Sequence, residues 1–388
     1  MNAEPRSFEQ PIYVTRPMLP ELAVFTKHLE AIWESAVLSN GGPQHVELEK
    51  RLHAHLGEGH IALFNNGTNA LMTAVRALDL SGEVITTPFT FAATPHVLAW
   101  HGIRPVFVDI EERSMTLDPA RIEAAITERT TGILAVHVYG NPCDVEEIER
   151  IARKHHLKVL YDGAHAFGTK VNGRAIASYG DATMFSFHAT KLFHTAEGGA
   201  VVTNDEALKR RMELLKNFGI ADEVTVKAVG INSKMNEIQA ALGLCLVDEI
   251  AAEKAKRFAL AETYRHDLSG IPGITTSRRL DLETDSLQYY CLRIDRNLTG
   301  FSRDHVYNEL KKFNVFARRY FYPLCSQYEP YREYADSRSD NLPVANRAGD
   351  QVLCLPFYGH LGTANAQQIC AIIRHILTGR AEAHVHAA

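Results

Sequence analysis

From about residue 60 the chain alternates short β-branched apolar runs with longer stretches whose apolar residues recur every three or four positions. GEVITTP (82–88), RPVFVDI (104–110), TGILAVHVYG (131–140), LKVLYDGAH (157–165), DATMFSFH (181–188) and GGAVVTND (198–205) read as strands. Helical patterns lie between them, among them Leu117 to Thr127, opened by Asp118-Pro119, and the charge-dense Asp144 to His155. Strand and helix in turn predict an α/β fold with a mainly parallel sheet covered on both faces. NSKMNEIQAALGLCLVDEI (232–250) predicts an amphipathic helix with Met235, Ile238, Leu242, Cys245 and Leu246 on one side. Beyond it the pattern loosens. SLQYYCLRID (286–295) and FNVFARRYFYP (313–323) read as strands of a smaller α+β domain. The expected division is a large domain over 1–250 and a small C-terminal domain over 251–388. The N-terminal segment, with Pro11, Pro17 and Pro20, reads as extended and then helical from Glu21 to Leu38, free to pack on the second domain or on a partner.

Composition narrows the class without choosing a function. The 388 residues are 46% hydrophobic and 22% charged, the proportions of a globular protein long enough for two domains. A formal charge of -5 gives no general attraction to nucleic acid or anionic lipid. Cys143, Cys245, Cys291, Cys325, Cys354 and Cys370 stand singly, with no CxxC spacing for a metal or a redox pair, so reduced thiols and a cytoplasmic location are expected. No run approaches a membrane span, and MNAEPRSFEQ has no apolar core of a signal peptide.

In parallel sheets ligands gather at the carboxyl ends of the strands. Those ends carry Asn65-Asn66-Gly67, running into a helix at Thr68; Asp162; and Ser186 with His188, three residues before Lys191. GxGxxG after a strand, GxxxxGK[ST], GxSxG and HExxH are all missing. His53, His55 and His60 in LHAHLGEGH lack the i, i+4 spacing of a metal pair and read as a solvated helix end; the terminal HVH reads as a frayed tail, and no metal is expected.

Each remaining residue has a plain reading when taken alone. Thr68 can be a helix cap, Asp162 a loop or capping acid, Lys191 a surface charge. Together they describe something else: an anion site at a helix start, an amine able to form a Schiff base, and a carboxylate able to face a protonated ring nitrogen. That combination is the requirement for pyridoxal 5'-phosphate (PLP).

In its motifs the chain resembles the DegT family of PLP-dependent nucleotide-sugar aminotransferases. The resemblance runs through VLSNGGPQHVELEKRLHAHLG, NNGTNAL, TTPFTFAATPHVLAWHGIRPVFVDI, YDGAHAFGT, SFHATKLFHTAEGG and GINSKMNEIQAALG, in order and spacing, over about residues 10–250. RRYFYPL and CLPFYGHL extend it more loosely.

It implies the aspartate aminotransferase (type I) fold, and it makes Lys191 the covalent cofactor lysine and proton-transfer base, with Asp162 at the pyridine nitrogen. It further implies His165 at the ring's 3-hydroxyl, Phe91 stacked on the ring, Gly67, Thr68 and Ser186 at the phosphate, and Asn232 reaching the phosphate of a second subunit across a homodimer. Gly198-Gly199 is expected to let the backbone bend into the next strand. Lys234 departs from the arginine of many relatives, and Arg318, Arg319, Tyr320 and Tyr322 are substrate candidates.

SFHATK…EGG is similar to the branch that aminates C4 of a keto sugar. The implied reaction passes the amino group of L-glutamate to C4 of a nucleotide-linked, dTDP-bearing 4-keto-6-deoxyhexose. The alternatives are a C3-aminating relative and a non-catalytic PLP-binding regulator, the latter without any basic face for nucleic acid.

Overall fold

The computed structural model describes residues 5–378. Its centre is a seven-stranded sheet made of β1 (His60–Phe64), β2 (Glu83–Thr86), β3 (Arg104–Phe107), β4 (Thr130–Val136), β5 (Lys158–Asp162), β6 (Ala182–Ser186) and β7 (Gly199–Thr203). The spatial order is β1-β7-β6-β5-β4-β2-β3, and only β7 runs against its neighbours. The apolar runs are continuous because both faces are buried. Ile61 and Leu63 join one cluster with Leu48 and Leu246, while Ala62 and Phe64 join another with Ala70 and Leu71.

The helices that matter for the site are α1 (Leu22–Ser35), α2 (Pro43–Leu56), α3 (Gly67–Ala77), α4 (Ala93–Trp100), α5 (Val145–His155), α6 (Glu206–Leu215), α7 (Glu237–Val247) and α8 (Ile250–Leu268). A second core lies beyond them. The strands Ile274–Thr276, Tyr290–Ile294 and Val352–Leu355 form an antiparallel sheet, packed against α8, Arg303–Lys312 and Thr363–Thr378. The N-terminal segment lies on this second region: Ile12–Tyr13 pairs in parallel with Val315–Phe316, and Phe8 N–H donates to the Phe313 carbonyl at 3.1 Å.

Four sequence expectations need correction. Leu117 to Thr127 is not one helix but two short 3-10 turns, Pro119–Arg121 and Glu123–Ala125. Past Leu117 only Ile122 is buried before Thr130, so the segment has no apolar stripe to hold a longer helix. The helix expected from Asn232 begins at Glu237, where Asn236 and Gln239 form a capping box. Residues 232–234 are instead extended, with Ser233 accepting from Asn65 N–H and Lys234 bridged to Phe64.

The buried side of α7 also differs from the expected stripe. Met235 and Leu246 are buried as expected, but so are Ala240, Ala241, Gly243, Leu244 and Val247, whereas Ile238 is exposed and Leu242 and Cys245 are half-buried. Small residues decide this, since a Cβ on Gly243 would lie 2.9 Å from Leu48 Cδ2 of α2. The expected strands in the second region are shorter than read, covering Tyr290–Ile294 and Val315–Phe316 only.

Candidate functional site

A cavity of about 540 Å³ opens at the carboxyl ends of β1, β4, β5 and β6, and its lining includes Gly67, Thr68, Phe91, Asp162, His165, Ser186 and Lys191. A second cavity, of about 660 Å³, lies beside Gly270–Pro272 and the last turns of the helix ending at Thr378; among the described residues its lining includes Arg374 and His375 and no Asp, Glu or Cys.

One side of the first cavity is built from helix-start chemistry. Asn66 caps α3, its side chain accepting from Asn69 N–H at 2.8 Å. Gly67 and Thr68 open the helix, so the helix itself cannot satisfy their N–H groups. Ser186 ends β6 directly opposite: a Cβ on Gly67 would sit 2.9 Å from Ser186 Cβ and 3.0 Å from its Oγ. Gly199 has a related purpose. Its missing side chain lets β7 pass the β1–α3 turn, because a Cβ there would be 2.8 Å from Gly67 Cα. Close approach, rather than the expected backbone bend, is what requires glycine at 199.

The floor is apolar, and its charged groups respond to that. Asp162, buried at the end of β5, accepts from Thr94 Oγ1 at 2.8 Å and from Ala164 N–H at 3.0 Å. Thr94 gives its proton to Asp162, so Thr90, 2.8 Å from Thr94, must donate to Thr94 in turn. Burial pushes the Asp162 pKa upward, against these two donors and the charge of Lys191. Burial also lowers the Lys191 ammonium to about 8, with Asp162 opposing. The Lys191 Nζ lies 5.8 Å from the centre of the Tyr289 ring.

His165 is enclosed between aromatic rings, Phe321 stacked at 5.9 Å and Tyr289 edge-on at 5.1 Å. Its Nδ1 accepts from Tyr139 N–H at 3.2 Å, which places the ring proton on Nε2. Burial, and then the charge of Lys191, hold its pKa well below the ordinary histidine value. His165 is therefore a neutral Nε2–H donor.

The remaining expected residues are distributed more widely. Phe91 stands at the cavity mouth, 61% exposed. Asn232 is exposed and does not line the cavity of its own chain. Lys234 Nζ donates to Asn217 Oδ1 at 2.6 Å and rests over the Phe218 ring. Of the four substrate candidates, Tyr320 lines the cavity, Arg318 and Tyr322 are exposed, and Arg319 pairs with Asp304 at 2.9 Å. His188 lines the rim 3.7 Å from Glu197, whereas His194 is buried and bonded to the Met18 carbonyl at 2.7 Å.

Sequence reading missed Thr90, Thr94, Tyr139, Gln288, Tyr289 and Phe321. Only Thr94 lies on α4; Thr90 sits in the bend before it, so no helical spacing announces the pair. The single cysteines also hid a neighbourhood: Cys291 and Cys354 face each other across paired strands as free thiols with sulfurs 2.8 Å apart.

The donor set fits PLP. Two helix-start amides and two hydroxyls can hold a phosphate, a carboxylate with spare acceptor capacity can hold a ring N–H, and a desolvated amine can meet an aldehyde. Among the described residues there is no group of three or more His, Cys, Asp or Glu side chains that could hold a metal ion, and no helix is long and apolar enough to cross a membrane.

Comparison with known proteins gives a concordant picture. The family model for the DegT/DnrJ/EryC1/StrS aminotransferase family matches residues 22–374. The dTDP-4-amino-4,6-dideoxy-D-glucose transaminase of Escherichia coli is 46% identical over 377 residues, covering 96% of this chain and 99% of that protein. The protein of the same name from Shigella dysenteriae is 43% identical, covering 95% and 100%. The crystal structure of DesI in the presence of its TDP-sugar product superposes with a TM-score of 0.92 at 37% identity, covering 99% of this chain and 97% of that one.

Proposed function

Since the chain belongs to the DegT/DnrJ/EryC1/StrS aminotransferase family, PLP-dependent enzymes of the type I fold, we propose that it moves the amino group of L-glutamate to C4 of a dTDP-linked 4-keto-6-deoxyhexose. Identity of 46% along nearly the whole length of a transaminase so named supports the substrate class. The observation that carries the chemistry is Lys191, a half-buried side chain whose desolvated amine is lowered to a pKa of about 8, in the lining of the same cavity as Asp162 and Thr68.

The roles follow from the environment of each group. PLP, when bound, supplies the aldehyde that takes up an amino group and a ring that withdraws electrons from the reacting carbon. Lys191 would form the covalent tether and, as a free amine, would carry a proton on Nζ; with a pKa near 8 about a tenth of it is already unprotonated at pH 7. Asp162 would hold the proton of the ring nitrogen, a pairing that would also offset the cost of burying the carboxylate. His165 would donate from Nε2 to the ring's 3-oxygen. Gly67, Thr68 and Ser186 would hold the phosphate, and Phe91 would cover the ring at the cavity mouth.

A second copy completes the site. Phe218, Val224, Val229, Ile231 and Ile238 leave an exposed apolar surface around Asn232, suited to a homodimer in which Asn232 reaches the other subunit's phosphate. A cytoplasmic location is part of the same proposal, supported by the six free cysteines.

Holoenzyme incubated with L-glutamate and dTDP-4-keto-6-deoxyglucose should yield 2-oxoglutarate and an amino sugar whose nitrogen is on C4 by NMR. Nitrogen on C3 would transfer the assignment to the other branch. No transfer to any nucleotide-linked keto sugar would overturn it.

A further inference from the structure

We infer that Gln288 is a positioning residue for Lys191, holding the two peptide groups that flank it; the inference rests on the functional reading above. Its side-chain amide is buried at 2% exposure and makes two bonds to one loop. Oε1 accepts from Leu192 N–H at 2.7 Å, and Nε2 donates to the Thr190 carbonyl at 3.1 Å. One planar group thus ties the peptide before Lys191 to the peptide after it, as a neighbouring strand would. No strand does so here, because Lys191 lies in an irregular loop between β6 and β7. Lys191 N–H is itself bonded to the His188 carbonyl at 2.8 Å. With both flanking peptide planes held, the direction of the Lys191 Cα–Cβ bond is set, and with it the reach of Nζ.

Gln288 belongs to a short segment of which Ser286, Gln288 and Tyr289 reach the residues of the cavity floor. Ser286 Oγ donates to the His165 carbonyl at 2.6 Å. The Tyr289 ring lies 5.8 Å from the Lys191 amine and perpendicular to the His165 ring at 5.1 Å. The segment is anchored from behind: Leu287 accepts from Arg257 Nη1 at 3.3 Å, and Arg257 Nε is paired with Glu253 Oε1 at 2.7 Å, both on α8 and both buried. Helix α8 therefore fixes a rigid ledge, and the ledge fixes the lysine loop. A residue with a purely packing role would need neither a donor nor an acceptor at this position. Gln288 uses both on the two sides of a single residue.

The test compares holoenzyme of the wild type with Gln288→Leu, which keeps the bulk and removes both bonds. Hydrogen exchange in the peptide spanning Lys191 should accelerate about 10-fold in the variant. The pH midpoint of the cofactor's visible absorbance should move by about half a pH unit or more, because the environment of Nζ changes. In single turnover with glutamate the rate constant should fall about 10- to 100-fold while the apparent affinity for glutamate stays within about 3-fold, the signature of a misplaced reacting group. A folded variant with wild-type midpoint and rate constant overturns the inference.

Should Gln288→Leu fail to fold, Gln288→Glu decides. It retains the acceptor for Leu192 and loses the donor to Thr190, so smaller changes in the same direction support the clamp and an unchanged midpoint and rate refute it. Failure of wild-type enzyme to react with glutamate would refute the functional reading instead, and the absorbance midpoint would still judge the clamp.

Discussion

The two sides of the cavity are built by different means. The anion side is built around neighbours in sequence, with Ser186 its one distant contributor: Asn66 caps the helix that begins at Gly67, and Asn69, three residues on, donates to that cap. The floor uses neighbours in space: Asp162 is held by Thr94, His165 by Tyr139 and Ser286, and the Lys191 loop by Gln288, 96 positions away from Leu192. The anion side is also the more open, with Thr68 exposed, whereas Asp162 and His165 are buried. An open, locally encoded site selects a ligand by affinity; a buried site assembled from distant parts shifts pKa values and orients reacting groups. Changes on the floor should accordingly reduce the rate, and changes on the anion side should reduce binding.

The sharpest way to separate the two is Lys191→Ala, which should lower turnover by about 10⁴-fold or more and remove the visible band of the lysine-bound cofactor together with it. Turnover near the wild-type value would remove the floor from the chemistry. Asp162→Asn comes next: it preserves shape but not charge, and kcat should fall about 10²- to 10³-fold with glutamate affinity little changed. A variant that loses only cofactor affinity would place Asp162 with the anion side instead.

Burial of the floor can be read from pH alone in cofactor-free protein. Lys191 titrates near 8 when folded and near its ordinary 10.5 when unfolded, so between these values the unfolded chain holds the extra proton. Stability should therefore rise with pH across that window, by up to about 1.4 kcal/mol per pH unit from this group. Urea unfolding at pH 8 and pH 9.5 should show the rise in wild type and its loss in Lys191→Met; equal slopes would mean that the amine is not desolvated.

The smallest effect belongs to the anion side. Thr68→Val deletes one hydroxyl and leaves both helix-start amides, so cofactor affinity should weaken about 10-fold, with kcat at saturating cofactor within about 3-fold. Equilibrium dialysis and saturation kinetics check the two halves of that statement. A fall in kcat without a fall in affinity would reverse the assignment of the two sides.

Much of this was legible in the chain. Alternating apolar runs placed the strands, and the rule that ligands sit at their carboxyl ends brought Gly67, Thr68, Asp162, Ser186 and Lys191 to one edge. Segments whose character depends on a partner were less legible. Leu117 to Thr127 has helical spacing but no face to bury, and residues 232–234 are drawn into an extended path by Asn65 and Phe64. For α7, Leu48 decides which side is covered.

By itself, then, the sequence determined the elements, their alternation and the chemical groups delivered at each strand end, because hydrophobic period, caps and turns act within a few residues. Tertiary structure alone decided that Thr94 gives its proton to Asp162, that Tyr139 leaves the His165 proton on Nε2, and that Gln288 grips both sides of Lys191. Such bonds join residues tens of positions apart. No local pattern registers them, and they exist only once two cores have closed around the same cavity.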